Sequence, residues 1–251
     1  MAITTTATTK KTPYRVGVLL FEGTDILDYA GPIETLGLAD YSRDYSNRKN
    51  VFSVETIARS NGDDHVVVST GGGNLLVKAT KTIAQTMVPE ELATYDVLVV
   101  PGAQPDVIQR VGQSEDQSEI KLIQSFVKLG ADSVGGSRSG KERYLMSVCT
   151  GALLLAGAGV LKGLRATTHH IALDVLEGMG QAQGSGEENN KIEVVKGQRV
   201  VDAGVRQGVR ILTAGGVSSG IDSSLYLVEL IAGREVADYS AKMMEHRRQD
   251  R

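Results

Sequence analysis

The chain has 251 residues, of which 41% are hydrophobic and 23% charged, with a formal net charge of −3. That length carries one large α/β domain or two small ones and buries a core without disulfides, and the acidic balance excludes an electrostatic hold on nucleic acid. No apolar run reaches the roughly 18 residues of a membrane span, and the single cysteine excludes an internal disulfide framework and fits a reducing, cytoplasmic compartment.

Met1 to Thr12 is rich in Thr and Ala, with Lys10 and Lys11 its only charges. It lacks the apolar stretch of a secretory signal and the arginines of a transit peptide, and reads as a disordered tail ahead of a single domain over 13–251. Tyr14 to Leu20 then reads as a buried strand. A turn at Phe21–Thr24 leads into a helix from Asp25 to about Leu38, with Pro32 in or just before its first turn. Val51–Ala58 is a second strand. Val66–Val68 and Leu75–Val77 form a hairpin-like excursion around Gly71-Gly72-Gly73.

Tyr95–Val100 is the clearest strand of a parallel sheet and ends at Pro101-Gly102. Ile120–Leu129 has helical spacing and stops at Gly130. Tyr144–Val148 is a strand, followed by a helix to about Ala158. Ala166–Thr168 reads as a short strand and Ile171–Leu176 as a helix. Val194-Val195 is expected to pair with Arg199–Asp202 across Lys196-Gly197. Ile211–Thr213 is the last strand, and helices from Gly220 and Val236 close the chain. The stretches 112–119, 135–140 and 181–190 are polar loops. Strands alternating with helices imply a mostly parallel sheet with helices on both faces.

Five places carry chemistry-bearing residues. Cys149 follows an apolar strand and precedes Thr150-Gly151 and a helix-like run, the pattern of a sharp strand-to-helix turn. Free cysteines are often small core residues, but the glycine-flanked change of period favours a nucleophile. Backbone N–H groups at such a turn favour negative charge, so the thiol is expected to ionise more easily than a free one. Thr150 offers a hydroxyl and an N–H to developing charge.

Asp28 lies in Asp28-Tyr29-Ala30-Gly31-Pro32, beyond the first strand, where carboxyl ends of a doubly wound sheet gather. On local sequence a helix-cap role leads. A proton carrier for the cysteine is the functional reading, with Asp25 and Glu22 as competitors. Gly102 and Ala103, after the strongest strand, are candidates for an oxyanion-type pocket. Thr167-Thr168-His169-His170 offers a base, though only one of two adjacent histidines faces any site. The four histidines show no metal-ligand spacing. Gly216, in Thr213–Asp222, belongs to a glycine-rich turn that matches no phosphate-binding pattern and reads as a pocket wall.

In this order Asp28–Pro32, Val99–Gly102, Ser147–Ala152, Ala166–His169 and Ala214–Asp222 resemble the DJ-1/PfpI superfamily, and within it the isonitrile hydratase branch. They are equally similar to the sensor domains of certain AraC-type regulators, but no helix-turn-helix segment follows. The resemblance implies a flavodoxin-like α/β sandwich with a cysteine at a nucleophile elbow, usually a homodimer with sites near the interface. It implies Cys149 as nucleophile, Asp28 as acid partner and Thr150 as a neighbour shaping the site.

Two departures stand out. Protease-like members carry Cys-His-Gly at the elbow, where this chain has Cys149-Thr150-Gly151. The hydratases usually have two glycines after the proline, where this chain has Gly102-Ala103. Gly135 to Glu142 looks inserted. The implied activity is hydration of an isonitrile to an N-substituted formamide, a carbon–nitrogen hydro-lyase reaction on a small molecule that needs neither metal nor organic cofactor. A DJ-1-like glyoxalase acting on methylglyoxal, or a redox sensor using the same cysteine without turnover, are the other readings.

Overall fold

The computed structural model describes residues 12–60, 67–71, 75–132, 141–183 and 191–249. In chain order these form β1 (Tyr14–Leu20), α1 (Ile26–Leu38), β2 (Phe52–Ala58), β3 (Val67–Ser69), β4 (Leu76–Lys78) and β5 (Lys81–Thr82). Next come α2 (Ile83–Thr86), α3 (Pro89–Leu92), β6 (Val97–Val100), α4 (Pro105–Gly112), α5 (Ser118–Asp132), β7 (Arg143–Ser147) and α6 (Gly151–Gly157). The chain continues through β8 (Arg165–Ala166), a 3-10 turn at His170–Ala172, α7 (Leu173–Gln183), β9 (Glu193–Val194), β10 (Val200–Arg206), β11 (Val209–Ala214), α8 (Ser219–Ala232) and α9 (Arg234–Met243). The tail through Lys11 and the stretches 135–140 and 184–190 lie outside the described residues, as does most of the expected insertion.

Strands β6 and β7 are buried at every position, which is why they read as continuous apolar runs: helices cover both faces of the sheet. The main sheet has seven strands in the order β10-β11-β7-β6-β1-β2-β5, parallel except for β10 against β11. Alternate residues feed two cores. Leu19, Leu98 and Leu145 face α4, α5 and α6, and Val18, Val99 and Met146 face α1, α8 and α9. The order reverses between β1 and β6. The carboxyl ends of those strands and of β7 therefore open on a crevice, the place where such sheets hold ligands.

The expected parallel, helix-covered sheet is present, with corrections in detail. Pro32 lies in the middle of α1, not at its start, and leaves the Asp28 carbonyl without its intrahelical donor. The expected pairing across Lys196-Gly197 does not form. β9 pairs in parallel with β8, while β10 turns into β11 through Gln207 (φ 49) and Gly208 (φ 75). Two successive left-handed residues make the tight turn that matches strand twist.

The expected strand at 166–168 stops at Ala166. Beyond it the Thr167 N–H donates to Thr213 Oγ1, and Thr168 Oγ1 donates to the Cys149 carbonyl. The hairpin around Gly71 is real, as β3 and β4 pair antiparallel. Helix α4, missed in the sequence, occupies one side of the crevice with Pro105 at its first position.

Candidate active site

Strand β7 runs through Val148, whose N–H donates to the Val100 carbonyl at 3.0 Å, and the chain then breaks sharply at Cys149. Cys149 has φ 56, a left-handed conformation costly for a residue with a Cβ and typical of functional sites. Its N–H donates to the Gly215 carbonyl at 2.9 Å, and Thr168 holds its carbonyl from the other side. Helix α6 starts two residues later, pressed onto the end of β6. A Cβ on Gly151 would lie 2.3 Å from the Val100 oxygen, so only glycine fits there. The elbow expected from Cys149-Thr150-Gly151 is thus fixed by β6, β11 and the segment after β8.

Cys149 is 3% exposed, at the inner end of a cavity of about 260 Å³. The backbone N–H groups of Thr150 and Val217 point at its sulfur and favour the thiolate. Burial and the neighbouring Asp28 charge outweigh them and push the thiol up to about 12. The expected easy ionisation is therefore corrected: this thiol holds its proton unless a neighbour takes it.

That neighbour is Asp28. It stands in the first turn of α1, fully buried, and is not the helix cap; Asp25 occupies that position. Asp28 Oδ2 accepts the Gly102 N–H at 3.0 Å, while among the described residues Oδ1 has no N–H or O–H donor. Burial pushes the carboxyl up to about 7, against the pull of the Gly102 N–H and with the help of the Asp25 charge. The Asp28 carboxylate, the Asp25 carboxylate and Cys149 Sγ each present an atom within 4.8 Å of the other two. These three are donors of metal-ligand type, but a proton held on the thiol and on the raised carboxyls competes with a cation for the same atoms.

The turn after β6 is engaged internally. The Ala103 N–H donates to Thr150 Oγ1 at 2.9 Å, and Thr150 Oγ1 donates to the Ala103 carbonyl at 2.7 Å. The Gly102 and Ala103 N–H groups are therefore spent on Asp28 and Thr150, and the expected oxyanion role for them is corrected. The Thr150 hydroxyl is likewise committed, and it ties the elbow to β6. A Cβ on Gly102 would lie 2.5 Å from Thr150 Oγ1 and 2.9 Å from Asp28 Oδ2, so the glycine permits their approach. Ala103 lines the cavity.

Of the two histidines, His169 lines the cavity and His170 stacks on it, ring centroids 4.3 Å apart. His169 Nδ1 accepts the Ile171 N–H at 3.3 Å, which leaves the proton of the neutral ring on Nε2. Burial and His170 hold its pKa below the ordinary value, against the pull of Asp25. Gly216 is the surface on which this ring rests, since a Cβ there would lie 2.5 Å from Cδ2. Asp25 lines the cavity with its carboxyl pushed up by burial, whereas Glu22 is exposed and does not line it. Ile26, Leu27, Pro105, Ile171 and Val217 make the rest of the wall largely apolar. The sequence reading missed the Val217 N–H, since no pattern in a glycine-rich turn says which amide faces a distant sulfur.

The DJ-1/PfpI family pattern matches residues 14–230, and the chain belongs to that family. It is 29% identical over 233 residues to the isonitrile hydratase of Pseudomonas putida, a match covering 92% of this chain and 78% of that one. A ThiJ/PfpI family protein from Pseudomonas syringae superposes with a TM-score of 0.68 at 22% identity, covering 96% of this chain and 78% of the other. Schizosaccharomyces pombe DJ-1 gives 0.66 at 14% identity, covering 93% of this chain and all of its own. These structures share the fold with the chain. Among the described residues no helix is long and apolar enough to cross a membrane.

Proposed function

We propose that the chain hydrates an isonitrile to an N-substituted formamide, with Cys149 as nucleophile and Asp28 as its proton carrier. The observation that carries this reading is the Cys149–Asp28 pair: a strained, buried thiol at the end of an open cavity, backed by a carboxyl whose raised affinity for protons matches a carrier working near neutral pH. The similarity to an isonitrile hydratase along most of both chains supports it.

The thiol adds across the divalent carbon of the isonitrile. The C–S bond forms, the thiol proton passes through Asp28 to that carbon, and a thioimidate, S–CH=N–R, results. Water then adds to the carbon, the nitrogen takes a proton, the C–S bond breaks and the formamide leaves with the thiol restored. The N–H groups of Thr150 and Val217 hold negative charge on sulfur as it attacks and as it departs. Thr150 positions the elbow through Ala103. Thiol and carboxyl cover the nucleophilic and proton-transfer roles of this step.

Formamide formation from cyclohexyl isonitrile tests the reading. Wild type turns over, and Cys149→Ala, a volume-reducing change at a buried site, loses turnover by at least 10³-fold on the scale of nucleophile removal. An active alanine variant overturns the assignment. Wild type that spares the isonitrile but converts methylglyoxal moves the same pair to glyoxalase chemistry.

A further inference from the structure

We propose that Asp25 is the general base that activates the hydrolytic water, so that two carboxylates divide the reaction: Asp28 moves the thiol proton and Asp25 serves the second step. This rests on the hydratase reading and assigns it a further catalytic residue.

Five observations converge. Asp28 is fully buried behind the sulfur and does not line the cavity, so a water entering the cavity does not meet it. Asp25 does line the cavity, and its carboxylate reaches within 4.8 Å of Cys149 Sγ. A water bound between that carboxylate and a carbon carried on sulfur lies within hydrogen-bond reach of the base. Next, among the described residues the Asp25 side chain does not serve the helix it precedes. Asp25 sits at the N-cap position of α1, where Asp ordinarily accepts a helix N–H, yet its side chain makes no capping bond.

The chain also builds around this group. The Asp25 N–H donates to the Gly102 carbonyl at 3.0 Å, and Asp25 bridges to Gly71 of the hairpin loop. A Cβ on Gly71 would lie 2.8 Å from the Gly23 oxygen and 3.3 Å from Asp25 Oδ1, so a glycine at 71 is what lets its backbone lie this close to the carboxylate. Finally, His169 faces the same cavity with its Nε2 proton free of the Ile171 contact, and its charge couples to Asp25. In the second step the water oxygen bonds to the thioimidate carbon and its proton goes to Asp25. Asp25 passes that proton to the thioimidate nitrogen, to which the neutral His169 Nε2–H donates a hydrogen bond, and the remaining hydroxyl proton is carried by Asp25 to sulfur as the C–S bond breaks and the C=O forms.

The test separates the two steps with cyclohexyl isonitrile, by rapid quench and intact-protein mass spectrometry. Asp25→Asn is expected to form the adduct, one isonitrile mass on the protein, within about threefold of the wild-type rate. It then accumulates that adduct and releases formamide about 10²- to 10³-fold more slowly, the range for loss of a general base. Iodoacetamide labelling of Cys149 at the wild-type rate shows that the fold and thiol are intact. Should the asparagine variant not fold, Asp25→Ser carries the same expectation. Formamide release at the wild-type rate overturns the proposal, as does equal slowing of adduct formation and release, which would place Asp25 in the attack. Wild type that makes no formamide fails the hydratase reading itself, a result visible before any variant is compared.

Discussion

The Cys149–Asp28 pair behaves as one titrating unit. With the carboxyl at about 7 and the thiol at about 12, it holds two protons in acid and one across the alkaline range. Only the one-proton form has both a proton to deliver and a base to take it from sulfur. We therefore expect kcat/KM for an isonitrile to rise with pH through about 7 and to level off above it. Asp28→Asn should remove this limb and lower the rate by roughly 10²- to 10⁴-fold.

The same shift has a stability consequence. The folded carboxyl binds its proton more tightly than the unfolded one, whose ordinary value is about 4. Stability from this group is complete below about 4 and is lost as pH rises to the folded value. Asp28→Asn is then expected to be more stable than wild type at pH 8, by on the order of a few kcal/mol, with the gain vanishing near pH 4; thermal melts at the two pH values read it. A variant less stable than wild type at pH 8 would show that the buried carboxylate is better compensated than its surroundings indicate.

At the scale of elements, the site depends on how closely α6 starts against β6. Gly151 is the contact, and the oxygens of Val100 and Pro101 leave no room for a methyl group. Gly151→Ala is expected to cost about 1–3 kcal/mol, the range for overpacking a tight interior, and to lower activity further by moving Cys149 off the cavity axis. Denaturant unfolding beside the isonitrile assay separates the two effects; an unchanged midpoint would refute the contact argument. The elbow was legible in the sequence because its signal is local: an apolar run, a cysteine, a small residue, a glycine, then a change of period. The roles of Gly102 and Ala103 were not. Whether a turn amide is free or spent depends on Asp28 and Thr150, which reach it from separate elements. Likewise the pairing of β10 with β11 was hidden because Gln207, no obvious turn residue, adopts the left-handed conformation beside Gly208.

For the whole molecule, stability and chemistry sit at opposite ends of the sheet. At the amino-terminal end of β1, Arg15 donates to Glu55 and Glu91, and its guanidinium stacks over the Tyr95 ring at 4.3 Å. Lys81 of β5 also reaches Glu91, so this network joins the strands on one side of the sheet to α3. The site lies past the carboxyl end of the same strand. Arg15→Met is expected to lower stability by about 1–2 kcal/mol, since the group is partly exposed and partly screened. It should leave isonitrile kinetics unchanged; a fall in kcat/KM matching the loss of stability would show that the two ends are coupled.

The sequence by itself determined the alternation of strand and helix, the parallel sheet buried on both faces, and the elbow that carries Cys149. These follow from periodicity and turn residues, which act over a few positions of the chain. Tertiary structure alone decided the proton affinities of Cys149 and Asp28, the spending of the Gly102 and Ala103 amides, and the entry of Asp25 and Val217 into the site. Each of these depends on burial and on charges or donors brought from distant segments to within a few ångströms, and such fields leave no local mark on the sequence.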